Sequence, residues 1–362
     1  MKKIFYIVST LKRSGPTNQL YNIINNIDRS VFDVHLVTLS PESADSLWSK
    51  YEELNINLYS LNLSRISGLF FAKDKLNKIL DDIKPDIIHT QGLRADSIAA
   101  SLHGQIPWIM TSRNFPPEDY LSKFGSFKGR LMVSKHFSVM KKCNHVVSCS
   151  ITIKQKLANC GIKSCAIQNG VIFPKVTDAS IPEFQYYAKP IYISVGSLIS
   201  RKNMSLIVDA FQMIPANNRG SLIILGDGPL MSEVRSKSST DVHLLGNVSN
   251  VSEYLSLSDF FVSASLSEGL PNTVLEALAS GLPVVLSDID SHKEISIESA
   301  YACKVFNLEG GAESLKNAMV AAIQEFDSRS RVDARRIATE IFSDEIMSKK
   351  YQELYNNVLG PQ

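Results

Sequence analysis

Two glutamates, Glu268 and Glu276, stand with seven residues between them in SEGLPNTVLEALASGLPVVLSD (267–288). Pro271 and Asn272 precede an apolar helical run, so Asn272 is the expected N-cap. Gly281 ends that run and Pro283 prevents its continuation. Glu268 is therefore expected in the loop and Glu276 about one turn inside the helix, both facing a cleft above a sheet. Gly269 admits close backbone approach, and the N–H groups near Thr273 and Val274 should point out of the helix start. Unpaired amides and the helix dipole make such a start an anion site. Carboxylates repel a phosphate, so they are expected to bind hydroxyls instead. Amides for a diphosphate, one carboxylate for ribose and one for a sugar describe a sugar-nucleotide site. In isolation the same spacing describes a solvated loop with two surface acids; the flanking Gly-Leu-Pro-Asn and Ala-Ser-Gly-Leu-Pro elements favour the site.

Other segments carry compatible chemistry. VGSLISRKNMSLIVDAF (195–211) reads as strand, loop and helix, with Gly196 at the strand end. Lys202 is expected to reach the diphosphate as a point charge, with Arg201 beside it or turned to solvent. LGDGP (225–229) offers Gly226, Asp227 and Gly228, and VHLLGNV (242–248) offers Asn247 and Val248. Alone, Gly-Asp-Gly-Pro is a tight turn. Near the N-terminus, LKRSGPTNQL (11–20) places Gly15 and Asn18 between a strand and a helix. DIIHTQG sets His89 at a strand end, where a histidine is either structural or on the acceptor side. MTSRN (110–114) ends the following strand with Arg113 and Asn114; Arg113 stays protonated and cannot be a general base.

Short apolar runs alternating with helical patterns, among them Phe71–Ile83, position these residues, which signals an α/β chain with parallel sheets. Periodicity breaks near 171–190, where Pro174, Pro182 and Pro190 fall. The expected organisation is an N-terminal Rossmann-like domain (1–172), a linker (173–190), a second Rossmann-like domain (191–343) and a C-terminal helix (344–362) packing back on the first domain. Ligands in such sheets lie at the carboxyl ends of the strands.

The 267–288 segment resembles the E-x7-E signature of retaining GT-B glycosyltransferases, specifically glycosyltransferase family 4, most strongly over 191–295. The resemblance implies two facing Rossmann-like domains with an interdomain cleft, the donor lying mainly on the C-terminal one. It implies Glu268 against the donor sugar, Glu276 on the ribose hydroxyls and backbone at 246–248 on the base. Gly15, Gly196, Arg201, Lys202, Gly226, Asp227, Asn247, Val248 and the run Glu268, Gly269, Leu270, Pro271, Asn272, Thr273, Val274 then form the donor set, with Glu276. Glu268, Arg113 and Lys202 form the catalytic set, and Asn18, His89 and Asn114 the acceptor side. Two departures stand out. Ser197 occupies a position where the family often has arginine, and Arg113 one where some relatives have histidine.

The implied reaction moves a sugar from a nucleotide donor, a UDP-sugar, to a glycan acceptor with retention and without cofactor or metal. A lipid-linked acceptor in bacterial surface-polysaccharide synthesis fits. The leaving diphosphate would help deprotonate the acceptor; a covalent intermediate on a carboxylate is the rival route. A sugar-nucleotide epimerase and a non-catalytic sugar-nucleotide-binding protein are the alternatives. Asp288 and Asp290 form a D-x-D that could hold a divalent cation, but it follows the E-x7-E helix, the wrong order for a metal-dependent fold. No G-x-G-x-x-G follows a strand, which argues against a nicotinamide enzyme.

The chain has 362 residues, 38 basic against 36 acidic, for a net charge of +2, which argues against a nucleic-acid partner. The balance is uneven: 1–175 carries 23 Lys/Arg and 13 Asp/Glu (+10), and 176–362 carries 15 and 23 (−8). Tyr120–Lys142 has six basic residues, three phenylalanines and no acid, a pattern suited to an anionic bilayer or to an ordinary amphipathic helix. The longest stretch without charge, Ser97–Ser112, is too short and polar to span a membrane. MKKIFYIVST reads as a buried first strand rather than a signal peptide. Five cysteines without a CxxC pair suggest free thiols in a reducing compartment, the cytoplasm, with peripheral membrane contact through 120–142. Cys143, His145 and Cys149 are poorly spaced for structural zinc.

Overall fold

The first apolar run becomes an inner strand, β1 (Lys2–Val8), of a parallel sheet. Its side chains alternate between faces, as strand geometry requires. Ile4 and Tyr6 join one buried cluster, while Phe5 and Ile7 join another on the opposite face. The computed structural model describes residues 1–102, 106–174, 181–299 and 301–360. They divide into two units, Met1–Gly170 with Asp344–Gln362, and Val171–Ser343.

In the first unit the remaining strands are β2 (Phe32–Thr38), β3 (Asn57–Ser60), β4 (Ile87–Gln91), β5 (Trp108–Ser112), β6 (His145–Ser148) and β7 (Cys165–Ala166). Their order is β3-β2-β1-β4-β5-β6-β7, all pairs parallel. The helices are α1 (Gly15–Asn25), α2 (Trp48–Glu52), α3 (Arg65–Ile83), α4 (Leu93–Ala99), α5 (Pro116–Met140) and α6 (Ile151–Asn159). Helix α1 packs on the Ile4/Tyr6 face, and α3 and α4 on the Phe5/Ile7 face.

In the second unit the strands are β8 (Ile191–Val195), β9 (Ser221–Leu225), β10 (Val242–Gly246), β11 (Phe260–Ser263), β12 (Val284–Ser287) and β13 (Cys303–Phe306). Their order is β10-β9-β8-β11-β12-β13, again parallel. The helices are α7 (Met204–Gln212), α8 (Met231–Lys237), α9 (Val251–Leu257), α10 (Asn272–Ala279), α11 (Asp290–Ser296), α12 (Gly311–Glu325) and α13 (Ser328–Glu340). A last helix, α14 (Asp344–Leu359), belongs to the first unit, where Met347, Tyr351 and Tyr355 share a core with Ile23 of α1. Two Rossmann-like α/β units result.

Two helices differ from the sequence reading. The periodicity places a helix from Phe71, yet α3 begins at Arg65, because the Ser64 hydroxyl caps it by accepting the Ser67 N–H at 3.1 Å. Helix α5 is broken at Gly125, whose φ of 72° only glycine adopts readily. Residues 175–180 of the expected linker lie outside the described residues.

Candidate functional site

Strand order reverses between β8 and β11, and ligands bind at such switch points, at the carboxyl ends of the strands. The loop after β8 carries Arg201 and Lys202, and the loop after β11 carries Glu268. A backbone bond from Leu266 N–H to the Arg201 carbonyl, at 2.8 Å, ties the two loops together. Glu268 is clamped there. Its Oε1 lies 2.7 Å from Lys202 Nζ, and its Oε2 lies 2.6 Å from Arg201 Nη1. The Ser265 hydroxyl donates to Oε1 at 2.9 Å, and Arg201 Nη1 also donates to the Ser267 carbonyl at 2.7 Å. The Glu268 side chain is only 7% exposed. Burial alone raises a carboxyl pKa, but the Lys202 and Arg201 charges outweigh it and hold Glu268 down to about 2. The sequence reading sends Lys202 to a diphosphate and leaves Arg201 beside it or in solvent; here both neutralise the glutamate, and two cations against that carboxylate leave an excess of positive charge.

Glycines bring the loops close. A Cβ on Gly226 would lie 2.0 Å from the Gly196 carbonyl oxygen, and Gly226 also has φ of 131°. Gly226 N–H donates to the Gly246 carbonyl at 2.7 Å, joining the ends of β9 and β10. The Asp227 carboxylate accepts its neighbour Gly228's N–H at 2.7 Å. Asn247 is exposed and Val248 half-buried just beyond β10.

Helix α10 buries Val274, Leu275, Ala277 and Leu278 completely, which leaves Asn272, Thr273 and Glu276 on its accessible side. Each large apolar side chain so buried contributes about 1.5–3 kcal/mol, enough to fix which face is presented. Two expectations are corrected. Asn272 is the first helical residue, not the cap; Pro271 occupies the cap position without a side-chain bond. The Val274 N–H is consumed by the Pro271 carbonyl at 3.1 Å, which leaves Thr273 N–H without a partner among the described residues. Gly269, Leu270 and Pro271 belong to the approach to the helix, Leu270 and Pro271 being buried there. Glu276 is half-buried, and its carboxyl makes no hydrogen bond among the described residues. Burial pushes its pKa up to about 7, with Lys202 acting in the opposite direction.

The sequence reading overlooked the support beneath Glu268. Ser287, ending β12, donates through Oγ to the Ser265 carbonyl at 2.7 Å. His292 Nδ1 lies 2.9 Å from that hydroxyl and 3.1 Å from the Ser287 carbonyl, which fixes the proton on Nδ1. His292 is fully buried, and burial holds its pKa down near 4, so the ring is neutral. In the sequence, the S-D-I-D-S-H segment draws attention only to its two aspartates.

In the first unit the residues are less convergent. Ser14 caps α1 in a reciprocal box with Thr17, so Gly15 is the first helical residue, exposed, followed by Pro16. Asn18 is half-buried one turn on. His89 is a correction: it has no exposed surface and cannot touch an acceptor. Its Nδ1 pairs with the Tyr355 hydroxyl and its Nε2 with Thr111 Oγ1, both at 2.8 Å, inside the core that receives α14. Arg113 donates from Nε to Gln91 Oε1 at 3.1 Å and from Nη1 to Asn169 Oδ1 at 2.8 Å. Asn114 is half-buried beside it.

Among the described residues no group of three His, Cys, Asp or Glu could hold a metal ion. Asp288 Oδ1 accepts the Leu308 N–H at 3.1 Å, a loop-fixing role. Cys143 and Cys149 donate instead to backbone carbonyls of Trp108 and Arg113.

Helix α5 splits its apolar residues. Phe137 faces the core, whereas Phe124, Leu131 and Phe127, the last 82% exposed, face outward among Lys128, Arg130 and Lys135. Ile66, Leu69, Phe70 and Phe71 at the start of α3 are also exposed, a group hidden from the sequence reading by the misplaced helix start. No helix of the described residues is long and apolar enough to cross a membrane.

Comparison with known proteins agrees with both units. Residues 13–172 match the family described as Glycosyltransferase Family 4, and residues 189–325 match Glycosyl transferases group 1. The UDP-Gal:alpha-D-GlcNAc-diphosphoundecaprenol alpha-1,3-galactosyltransferase of Escherichia coli is 29% identical over 238 residues, 60% of this chain and 61% of its own length. The chain thus spans about three-fifths of that relative. The O-antigen biosynthesis glycosyltransferase WclY of Escherichia coli is 22% identical over 377 residues, covering 98% of each chain. The structure of Anabaena Alr3699/HepE in complex with UDP superposes with a TM-score of 0.81 at 16% identity, covering 98% of this chain and 99% of that one, so the two share the GT-B fold.

Proposed function

Because the chain belongs to glycosyltransferase family 4, its second unit matching the group 1 family, we propose that it transfers a sugar from a UDP-sugar to a lipid-linked glycan with retention of anomeric configuration. The observation that carries this reading is Glu268, held ionised by Lys202 and Arg201 at the switch point, with Glu276 one turn inside the adjoining helix. The complex of Alr3699/HepE with UDP supports the donor class, and the diphosphoundecaprenol acceptor of the Escherichia coli galactosyltransferase supports the acceptor class.

The chemistry follows from the charges. An incoming diphosphate competes for Lys202 and Arg201 and draws them from Glu268, whose carboxylate then accepts donor-sugar hydroxyls. Glu276 accepts ribose hydroxyls, and the Thr273 N–H at the start of α10 donates to a phosphate oxygen. The bond from the anomeric carbon to the diphosphate breaks as the acceptor oxygen bonds to the same face. The acceptor proton passes to the departing phosphate oxygen. Lys202 and Arg201 stabilise the charge that grows on the diphosphate, so no metal ion is required. The exposed phenylalanines and lysines of α5, with the apolar start of α3, hold the first unit to the cytoplasmic face of an anionic bilayer where such an acceptor resides. The setting is bacterial surface-polysaccharide assembly.

Purified protein incubated with a panel of nucleotide sugars, with and without a diphospholipid-linked sugar, tests this. Transfer dependent on the acceptor, in the presence of a chelator, is the expected result. Conversion of the donor with no acceptor present would identify an epimerase instead.

A further inference from the structure

The first unit contains a cavity of ≈ 150 Å³ at the carboxyl ends of β4 and β5, lined in part by Gln91, Ser112, Arg113, Asn114, Tyr120 and His136. We propose that it is a phosphate-binding subsite for the acceptor, in which Gln91 Nε2 and Arg113 Nη2 donate to phosphate oxygens. This rests on the transfer reading above only for the acceptor's identity.

Both nitrogens are buried and have no hydrogen-bond partner among the described residues. Gln91 is more than nine-tenths buried. Its Oε1 already accepts from Arg113 Nε at 3.1 Å, which fixes the amide orientation and leaves the NH2 group unpartnered in the cavity wall among the described residues. Arg113 in turn spends Nη1 on Asn169 at 2.8 Å. The buried unpartnered atoms in the pocket wall are therefore both donors, one of them on a permanent planar cation. An oxyanion with several acceptor oxygens is the ligand that satisfies both, and the guanidinium fork favours phosphate geometry.

The surrounding acids do not oppose it. Asp119 borders the cavity, but its carboxylate is paired with Lys123 Nζ at 2.7 Å. Asp96 is buried behind the wall, accepting from Thr90 Oγ1 at 2.5 Å and facing His136 Nε2 at 3.2 Å. His136 Nδ1 meets the Tyr120 hydroxyl at 2.8 Å. This Asp96–His136–Tyr120 chain is a positioning device: it locks the tyrosine across the break in α5 and keeps the cavity open. Lys202 and Arg201 of the second unit are assigned to the donor diphosphate, which leaves the acceptor's phosphate for this cavity. The room amounts to several water molecules, enough for a phosphate.

The test uses the full chain with saturating UDP, so that the nucleotide site is filled. Geranyl diphosphate and inorganic phosphate are titrated separately by calorimetry. Geranyl diphosphate should bind, and Arg113→Gln and Gln91→Leu should each weaken it at least about tenfold, with UDP affinity and the far-UV circular dichroism unchanged. Arg113→Lys keeps the charge but loses the fork, and an intermediate loss in that variant covers a substitution that fails to fold. Inorganic phosphate binding as tightly as the ester, through the same two residues, would assign the site to free phosphate and overturn the acceptor role. Binding of neither anion, or binding indifferent to all three variants, would overturn the site. Geranyl diphosphate binding without any UDP binding would leave the subsite standing and sink the transfer reading.

Discussion

Lys202 Nζ lies 2.7 Å from Glu268 Oε1, so the cation expected to await a diphosphate is spent on a carboxylate. The pair is mostly buried, and Arg201 closes it from the other side at 2.6 Å. Glu268→Gln should reduce transfer by at least about a hundredfold, the scale of losing one transition-state contact. UDP should bind that variant as tightly or more tightly, because two cations are released. Near-wild-type transfer in a coupled UDP-release assay would sink the assignment.

Lys202→Met makes a separate prediction about pH. With Glu268 held near 2 it stays ionised throughout the working range, and the wild-type acid limb does not report it. Removing Lys202 takes away the larger of the two charges that oppose burial, so the carboxyl pKa rises. An acid limb attributable to Glu268 should then enter the pH–rate profile at higher pH than in the wild type. An unshifted profile would mean that Lys202 does not set this charge.

Glu276 should make UDP affinity depend on pH. Its pKa of about 7 means that the hydroxyl-accepting carboxylate form grows as pH rises from 6 to 8. Affinity should increase about tenfold across that window and become flat and weak in Glu276→Gln. Folding stability runs the other way. The native state holds a proton that the unfolded chain releases near 4.5, so this group's contribution falls as pH rises from about 4.5 through about 7. Denaturant titration at two pH values should show Glu276→Gln gaining relative stability at pH 8, on the order of 2 kcal/mol. A variant as pH-sensitive as the parent in both measurements would remove Glu276 from the site.

Gly226→Ala tests the loop packing. The added methyl would meet the Gly196 carbonyl oxygen at 2.0 Å in a backbone conformation that alanine avoids. Stability should fall by about 1–3 kcal/mol, and UDP affinity should fall with it. Unchanged melting and unchanged binding would show that the two loops yield freely.

Attachment to lipid is measurable by vesicle flotation. Charge reversal at Lys128, Arg130 and Lys135 should lower binding to anionic vesicles, and Phe127→Ser with Phe70→Ser should lower it further. Equal flotation of all variants would make these exposed rings ordinary surface.

Much of this is legible in the sequence where the information is local. Strands, the switch point and the 267–288 segment lie in contiguous patterns whose spacing dictates geometry, so Glu268 and Glu276 can be placed without coordinates. Ser64 is a local signal too, a cap seven residues before Phe71, but the apolar run masks it. His89 is illegible because its partner Tyr355 is 266 residues away, and only the folded sheet brings them together. His292 is hidden for a similar reason: its role depends on Ser265, which lies on a different strand's loop. The Lys202–Glu268 pair escapes because residue types announce charge, not which opposite charge will answer it.

The return of α14 to the first unit has a temporal consequence. Domains made on a ribosome ordinarily fold in the order of their synthesis. Here the first unit's core, with Tyr6 and His89 waiting for the Tyr355 hydroxyl, lacks its last helix until residues 344–359 emerge. The second unit, Val171–Ser343, is complete before that. The half translated first is therefore finished last, and a stop codon shortly after Ser343 would damage the nascent N-terminal unit while sparing the one just made.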